Sequence, residues 1–167
     1  MYTITIRSAY ITDAARIAEI SSQPSVVWGT VQLPAQTPDR WRKRLEGNHP
    51  DTAYVLVAEI EGSVVGMLGL FRSTNPRTHH VGELGVVVDE QYHGGGVGTA
   101  LMASALEAAD KWLNLVRVEL EVYPDNERAI RLYERFGFVQ EGRKRLNAWR
   151  DGQYVDSLVM GRIRPGV

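Results

Sequence analysis

Residues 83–101 read Glu83-Leu-Gly-Val-Val-Val-Asp-Glu-Gln-Tyr-His-Gly-Gly-Gly-Val-Gly-Thr-Ala-Leu101, and this stretch decides the fold. The β-branched run at 86–88 is typical of a buried strand, and apolar residues from Leu101 onward recur at helical spacing. The glycines between the two patterns therefore open a helix. Because glycine has no Cβ atom, a ligand can approach the free backbone N–H groups at the positive end of the helix dipole. The stretch predicts an anion site, most naturally for a diphosphate.

Two other phosphate-binding motifs do not fit this stretch. The dinucleotide fingerprint Gly-x-Gly-x-x-Gly would require a glycine where the chain has Thr99 or Leu101. The Walker pattern would require Lys followed by Ser or Thr after the turn, and no such pair is present. The alternative to a ligand site is a turn that only reverses the chain, but four glycines within residues 94–98 are more than such a turn requires.

Two motifs resemble those of one family. Residues 93–98, His-Gly-Gly-Gly-Val-Gly, are similar to the acetyl-CoA-binding motif of the GNAT family of N-acetyltransferases, Arg/Gln-x-x-Gly-x-Gly/Ala. His93 replaces the usual Arg or Gln, which affects one side-chain contact to the pyrophosphate but leaves the backbone contacts intact. Residues 126–138, Asn-Glu-Arg-Ala-Ile-Arg-Leu-Tyr-Glu-Arg-Phe-Gly-Phe, match the family pattern Asn-x-x-Ala-x-x-x-Tyr-x-x-x-Gly-Phe. The two motifs occur in the family's order, separated by a predicted strand.

Composition limits the size of the fold and the kinds of partner. The 167 residues, 44% of them hydrophobic, predict a single domain over 1–167 with a buried core. With 19 basic against 20 acidic residues, no excess charge favours nucleic acid or a membrane surface. The absence of cysteine excludes a cysteinyl-acyl intermediate, so acyl transfer is expected to be direct. No apolar run has membrane-spanning length, and we expect a cytoplasmic protein.

The order of predicted elements is strand, two helices, three strands, helix, strand, helix and two strands. It resembles the GNAT fold, an α/β (α+β) architecture with a mixed seven-stranded sheet, about four helices and splayed fourth and fifth strands. In that fold the pantetheine arm of the cofactor lies in the opening like an added strand. Residues 23–34 are expected to form a loop. Strands are expected at about 3–7, 54–60, 64–71, 80–88, 116–122, 139–149 and 154–163, and helices at about 12–21, 37–46, 97–113 and 126–136.

The resemblance implies a set of contacts to acetyl-CoA. Backbone groups of Val86 and Val88 would pair with the pantetheine amides, and the Val88 N–H would contact the acetyl oxygen as it gains charge. Asn126 matches the asparagine that contacts the cofactor arm, and capping of its own helix is an equal alternative. The full set expected to bind the cofactor is Val86, Val87, Val88, His93, Gly94, Gly95, Gly96, Val97, Gly98, Thr99, Asn126 and Tyr133.

Acetyl transfer to a primary amine needs a base, a stabilised carbonyl oxygen and a donor for the leaving thiolate. By resemblance Tyr133 lies beside the cofactor sulfur, and a phenol with a pKa of about 10 can donate to a thiolate of pKa about 8.5. Glu83 is the candidate base, since a charge is unexpected early in an apolar strand and amino-acid-directed family members carry a glutamate there. The alternatives are a half-buried helix tyrosine and a rim carboxylate that only attracts an ammonium group.

The acceptor is predicted from further similarity. Residues 23–26, 30–34, 110–113 and 152–156 resemble bacterial L-amino acid N-acetyltransferases, which act on amino acids such as phenylalanine and methionine. No metal site is predicted, because His79 and His80 have no partner at metal-binding spacing. The residues expected to form an apolar acceptor pocket are Trp28, Leu33, Tyr123 and Trp149, with Glu83 beside them; ordinary core or surface packing is the alternative for each.

Two other functions remain as alternatives. The acceptor would in one case be a protein N-terminus, a lysine or a polyamine. A polyamine enzyme should have an acidic pocket, whereas residues 28–34 contain no acidic residue. The farther alternative is a module that binds acyl-CoA without turnover, which the loss of Tyr133 or Glu83 would have favoured. The family resemblance also implies a homodimer.

Overall fold

One sheet of seven strands organises the computed structural model, which describes residues 2–167. The strands are β1 (Thr5–Ser8), β2 (Ala53–Ile60), β3 (Ser63–Arg72), β4 (Val81–Val88), β5 (Arg117–Val122), β6 (Val139–Arg150) and β7 (Gln153–Ile163). Their order across the sheet is β1-β2-β3-β4-β5-β7-β6. Only β4 and β5 pair in parallel, and the other neighbours are antiparallel. The predicted mixed seven-stranded sheet is confirmed.

The helices differ from the prediction at one place. Residues 23–34, expected as a loop, contain a six-residue helix that begins with a proline, a residue suited to the first helical position because its missing N–H would be unpaired there. Six residues are too few to show a helical period, so the sequence pattern did not indicate it. The α-helices of residues 2–167 are α1 (Ala14–Ser21), α2 (Pro24–Gly29), α3 (Pro38–Glu46), α4 (Val97–Lys111) and α5 (Glu127–Arg135), five rather than about four.

The starts of the first helices follow local capping chemistry. Thr37, the first residue of the second predicted helix, caps α3, because its side-chain Oγ1 accepts a hydrogen bond from the Arg40 N–H at 3.2 Å. Thr12, the first residue of the first predicted helix, lies instead inside a 3₁₀ turn at Ile11–Asp13, and α1 begins after that turn. No helix within residues 2–167 is both long and apolar enough to cross a membrane.

Apolar side chains cover both faces of the sheet. On one face α4 packs through Leu101 and Ala105 against buried strand residues such as Leu68 and Leu120. On the other face α1 packs against β3 and β4, and α3 packs against α1. The second cluster comprises Ala14, Ile17, Ala18, Ile20, Val26, Trp41, Val57 and Val64. Buried apolar side chains therefore lie on both faces of β2 and β3.

β4 and β5 separate along their length and leave an opening in the sheet. Their pairing covers only Val81–Glu83 with Arg117–Glu119, although β4 continues to Val88 and β5 to Val122. The Asp89 N–H donates to the Val65 carbonyl of β3 at 2.9 Å. Because backbone polar groups alternate sides along a strand, those of Val88 and Val86 point away from β3 and into the opening. The predicted splay is confirmed, and it creates the site.

Candidate active site

The turn after β4 presents free backbone N–H groups at the start of α4. Gly94 and Gly96 have φ angles of +76° and +85°, a left-handed conformation that glycine adopts without a Cβ clash. Within residues 2–167 the N–H groups of Val97, Gly98 and Thr99 have no backbone acceptor, and no side chain caps the helix. These amides, together with the positive end of the α4 dipole, form an anion site that fits a diphosphate.

A cavity of about 1070 Å³ runs from this glycine turn through the opening between β4 and β5. Its wall includes parts of α2, α3, β3, β4, α4, β5 and α5. Gly95 is the one expected cofactor residue outside it, because the Gly95 N–H is bonded to the Tyr92 carbonyl and a Cβ there would lie 1.8 Å from the Tyr2 hydroxyl. The expected cofactor residues that line the cavity are Val86, Val87, Val88, His93, Gly94, Gly96, Val97, Gly98, Thr99, Asn126 and Tyr133.

The substitution at the first motif position is accompanied by a cation from another helix. His93 Nε2 lies 2.9 Å from the Val88 carbonyl, to which it donates, and His93 Nδ1 accepts from Arg128 Nη1 at 2.6 Å. Arg128 lies on α5, lines the cavity and forms no ion pair within residues 2–167. A guanidinium of α5 therefore lies beside the first position of the motif. Sequence reasoning missed Arg128; the only signal was a basic residue at a variable position of the second motif.

Asn126 has a structural role that the contacts establish. Its Oδ1 accepts from the Ala129 N–H at 3.3 Å and so caps α5. The residue also lines the cavity, and a Cβ added at Gly29 would lie 2.9 Å from Asn126 Nδ2. This close approach joins α2 to the start of α5. The capping alternative is confirmed, and a contact to the cofactor arm stays a prediction.

Tyr133 is buried on α5 and contributes to the cavity wall. Its ring packs against Phe138 with centroids 6.0 Å apart, and its hydroxyl has no hydrogen-bond partner within residues 2–167. Burial raises the pKa of Tyr133 to about 12. The phenol is therefore protonated near neutral pH and available as a donor, and its role at the cofactor sulfur stays a prediction.

Two carboxylates line the opening, and only one of them is free. Glu83, exposed to the cavity, is the last residue of β4 that pairs with β5 and forms no ion pair within residues 2–167. Glu121 accepts from Ser157 Oγ at 3.0 Å and Asn147 Nδ2 at 2.9 Å, and it pairs with Lys144. Partial burial raises the pKa of Glu121, but these three donors outweigh it and hold that pKa below its usual range. Glu83 is thus the carboxylate available to a substrate.

Only one of the three aromatic residues predicted for the acceptor pocket lines the cavity. Tyr123 is buried and lines the cavity. Trp28 does not, because Arg150 stacks on its ring at 4.1 Å and holds it at the surface. Trp149 packs edge-on against Tyr154 on the exposed β6–β7 hairpin, away from the cavity.

Leu33, the fourth predicted pocket residue, is also exposed and lies outside the wall of the cavity. Two glycines instead form an apolar floor of the cavity. Gly69 of β3 and Gly85 of β4 are cross-strand neighbours, and a Cβ added at Gly85 would meet no atom within 4 Å. A Cβ at Gly69 would lie 2.6 Å from the Phe71 ring, which therefore folds over that position. Sequence reasoning missed this floor; glycines inside two strands were its only signal.

Comparison with known proteins agrees with this geometry. Residues 15–138 match the acetyltransferase (GNAT) family. The L-amino acid N-acetyltransferase AaaT of Escherichia coli K12 is 39% identical over 164 residues, covering 98% of this chain and 100% of that protein. The crystal structure of a GNAT-family acetyltransferase from Streptococcus pneumoniae has a TM-score of 0.84 and 26% identity, with 97% and 99% of the two chains covered.

A third likeness concerns the fold alone. The crystal structure of Vibrio cholerae spermidine N-acetyltransferase with CoA and spermine has a TM-score of 0.85 at 23% identity, covering 96% of this chain and 95% of that one. The chain belongs to the GNAT family of acetyltransferases. It is an acetyl-CoA-dependent N-acetyltransferase, and the predicted family, fold, enzyme class and cofactor are confirmed.

Proposed function

We propose that the enzyme acetylates the α-amino group of a free L-amino acid with an apolar or aromatic side chain, such as phenylalanine or methionine. The observation that carries this proposal is the pairing of an apolar, glycine-floored pocket with one free carboxylate, Glu83, in the cavity that holds the glycine turn. The 39% identity to the Escherichia coli L-amino acid N-acetyltransferase over nearly the whole chain supports it.

In this proposal, the residues of the opening have separate roles in cofactor binding, proton removal and stabilisation of charge. Acetyl-CoA, when bound, supplies the activated acetyl thioester. The glycine-turn amides and Arg128 hold its diphosphate, and the backbone groups of Val86 and Val88 pair with its pantetheine amides. Glu83 removes a proton from the substrate ammonium group, directly or through a water molecule, so that the nitrogen becomes nucleophilic. With acetyl-CoA bound, the Val88 N–H would donate to the carbonyl oxygen and the Tyr133 hydroxyl would donate a hydrogen bond to the sulfur, while the second proton lost by the nitrogen would pass to the leaving thiolate or to solvent.

Other acceptors are less well matched to the cavity. A polyamine carries several cations and would need several free carboxylates, whereas Glu121 is already bonded to Lys144, Ser157 and Asn147. The part of the cavity formed by α3 carries two further cations, Lys43 and Arg44. These charges repel a polyamine and suit an acceptor that bears a negative group.

The test is to follow CoA thiol release from acetyl-CoA with a panel of free L-amino acids, polyamines, and peptides with free N-termini or lysines. Release with apolar amino acids, and not with spermidine or peptides, is expected. Release with polyamines or peptides alone would overturn the acceptor class, and no release with any amine would favour the binding-module alternative. Sedimentation velocity of the same sample tests the homodimer that the family resemblance implies.

A further inference from the structure

Arg44 is a cation without a counter-ion at the α3 end of the cavity. It forms no ion pair within residues 2–167, and its one side-chain hydrogen bond runs from Nη1 to the neutral Oε1 of Gln32 at 3.4 Å. Partial burial and the charge of nearby Arg40 lower the pKa of Arg44. A bound anion would relieve both effects, because an opposite charge favours the protonated guanidinium.

The guanidinium of Arg44 is held in a defined orientation. Its Cζ lies 4.3 Å from the centroid of the Trp41 ring, and Trp41 is itself buried in the cluster between α1, α3 and β2. Stacking on an immobile ring leaves the edge of the guanidinium free and reduces the entropy lost when it binds a ligand. A planar, oriented guanidinium matches the two oxygens of a carboxylate.

The other cations of the cavity are placed differently. Arg128 contacts His93 and Arg135 contacts Thr99, both beside the glycine turn. Lys43 lies on the same helix as Arg44, but within residues 2–167 no side-chain hydrogen bond or ion pair orients it. Arg44 is therefore the one oriented cation at the α3 end of the cavity among the residues that the structure describes.

We propose that Arg44 binds the α-carboxylate of the amino acid while Glu83 receives its ammonium group. This inference rests on the proposed function and names the residue that distinguishes a free amino acid from an amine without a carboxylate. A substrate with a neutral amide in place of the carboxylate would leave Arg44 without its ion pair. A polyamine would bring a second cation toward the guanidinium and be repelled.

The test compares L-phenylalanine and L-methionine with their α-carboxamides, which keep the ammonium group and side chain but lose the negative charge. We expect Arg44→Met to lower kcat/KM for the free amino acids at least about tenfold, mainly through KM, and to change kcat/KM for the amides less than about twofold. Arg44→Lys, which keeps the charge but not the planar fork, should retain part of the preference. Arg42→Met is the matched control, because Arg42 on the same helix is exposed and pairs with Asp39 at 2.7 Å.

The other possible outcomes would contradict either carboxylate binding by Arg44 or the proposed function. Equal losses on acids and amides in Arg44→Met, or no loss on either, would remove carboxylate binding from Arg44 while leaving the proposed function in place. Equal use of acids and amides by the wild-type enzyme would do the same. Failure of the wild-type enzyme to acetylate any amino acid would overturn the proposed function and this inference together. Calorimetric binding of acetyl-CoA, unchanged in Arg44→Met, shows that the variant is folded.

Discussion

Replacing Tyr133 by phenylalanine should slow turnover while leaving the fold and the affinity for acetyl-CoA unchanged. The Tyr133 hydroxyl has no hydrogen-bond partner within residues 2–167, and the ring contact to Phe138 at 6.0 Å does not depend on the hydroxyl. The free energy of unfolding should therefore change by no more than about 0.5 kcal/mol. A hydrogen bond to a charged group contributes about 1.5–3 kcal/mol, so losing the donor to the leaving thiolate should lower kcat about 10- to 150-fold.

The assay follows thiol release at saturating acetyl-CoA, with calorimetry for the dissociation constant and thermal unfolding for stability. Tyr54→Phe is a matched control, because Tyr54 is a half-buried tyrosine of β2 outside the cavity wall. An unchanged kcat in Tyr133→Phe would refute the role of the hydroxyl. A large loss of acetyl-CoA affinity would show that the hydroxyl binds the ground state instead.

The pH dependence gives a second check on Tyr133. Burial raises the pKa of Tyr133 to about 12, so deprotonation removes the donor only at high pH. The wild-type enzyme should show no fall in kcat from this group below about pH 11, whereas a phenol at the reference pKa would produce one near pH 10. A fall near pH 10 that disappears in Tyr133→Phe would contradict this account of burial.

Three further predictions concern other parts of the cavity. Glu83→Gln should lower kcat/KM most at low pH, where the amine is protonated and needs a base; a uniform loss across the pH profile would indicate a positioning role. Gly85→Val should fold normally, because a Cβ at that position meets no atom within 4 Å. The valine should fill the floor of the pocket and lower kcat/KM for phenylalanine at least about tenfold while leaving kcat/KM for alanine unchanged. Equal losses for both amino acids would show that the substrate side chain binds elsewhere. Arg128→Met should raise the acetyl-CoA dissociation constant about tenfold without changing that of S-acetyl-pantetheine, which lacks the diphosphate; parallel changes for the two ligands would exclude a diphosphate contact.

The glycine turn, the start of α4 and the motif residues of α5 could be predicted from sequence, because residues close together in the chain determine them. Left-handed φ angles at Gly94 and Gly96 require glycine, and the change from strand to helical periodicity marks the start of α4. Tyr133 and Asn126 follow from a motif carried on one helix, where spacing fixes relative position. The same reasoning located the opening between β4 and β5, since both strands and the family order were evident.

The acceptor side could not be predicted in this way, because tertiary contacts create it. Gly69 and Gly85 become one floor only through the pairing of β3 with β4, and Arg128 reaches His93 only after α5 packs beside α4. Trp28 was expected in the pocket, but a six-residue helix and the stacking of Arg150 turn it to the surface. Aromatic composition alone does not determine which face a side chain occupies.

We propose that main-chain amides at the start of α4 bind the diphosphate of the cofactor. Calorimetric titration of the wild-type enzyme with acetyl-CoA and, separately, with S-acetyl-pantetheine tests this most directly. We expect saturable binding of acetyl-CoA at one site per chain and binding of the pantetheine thioester at least about a hundredfold weaker, because the charge-assisted contacts to the diphosphate are lost. Equal affinities, or no uptake of acetyl-CoA, would contradict it.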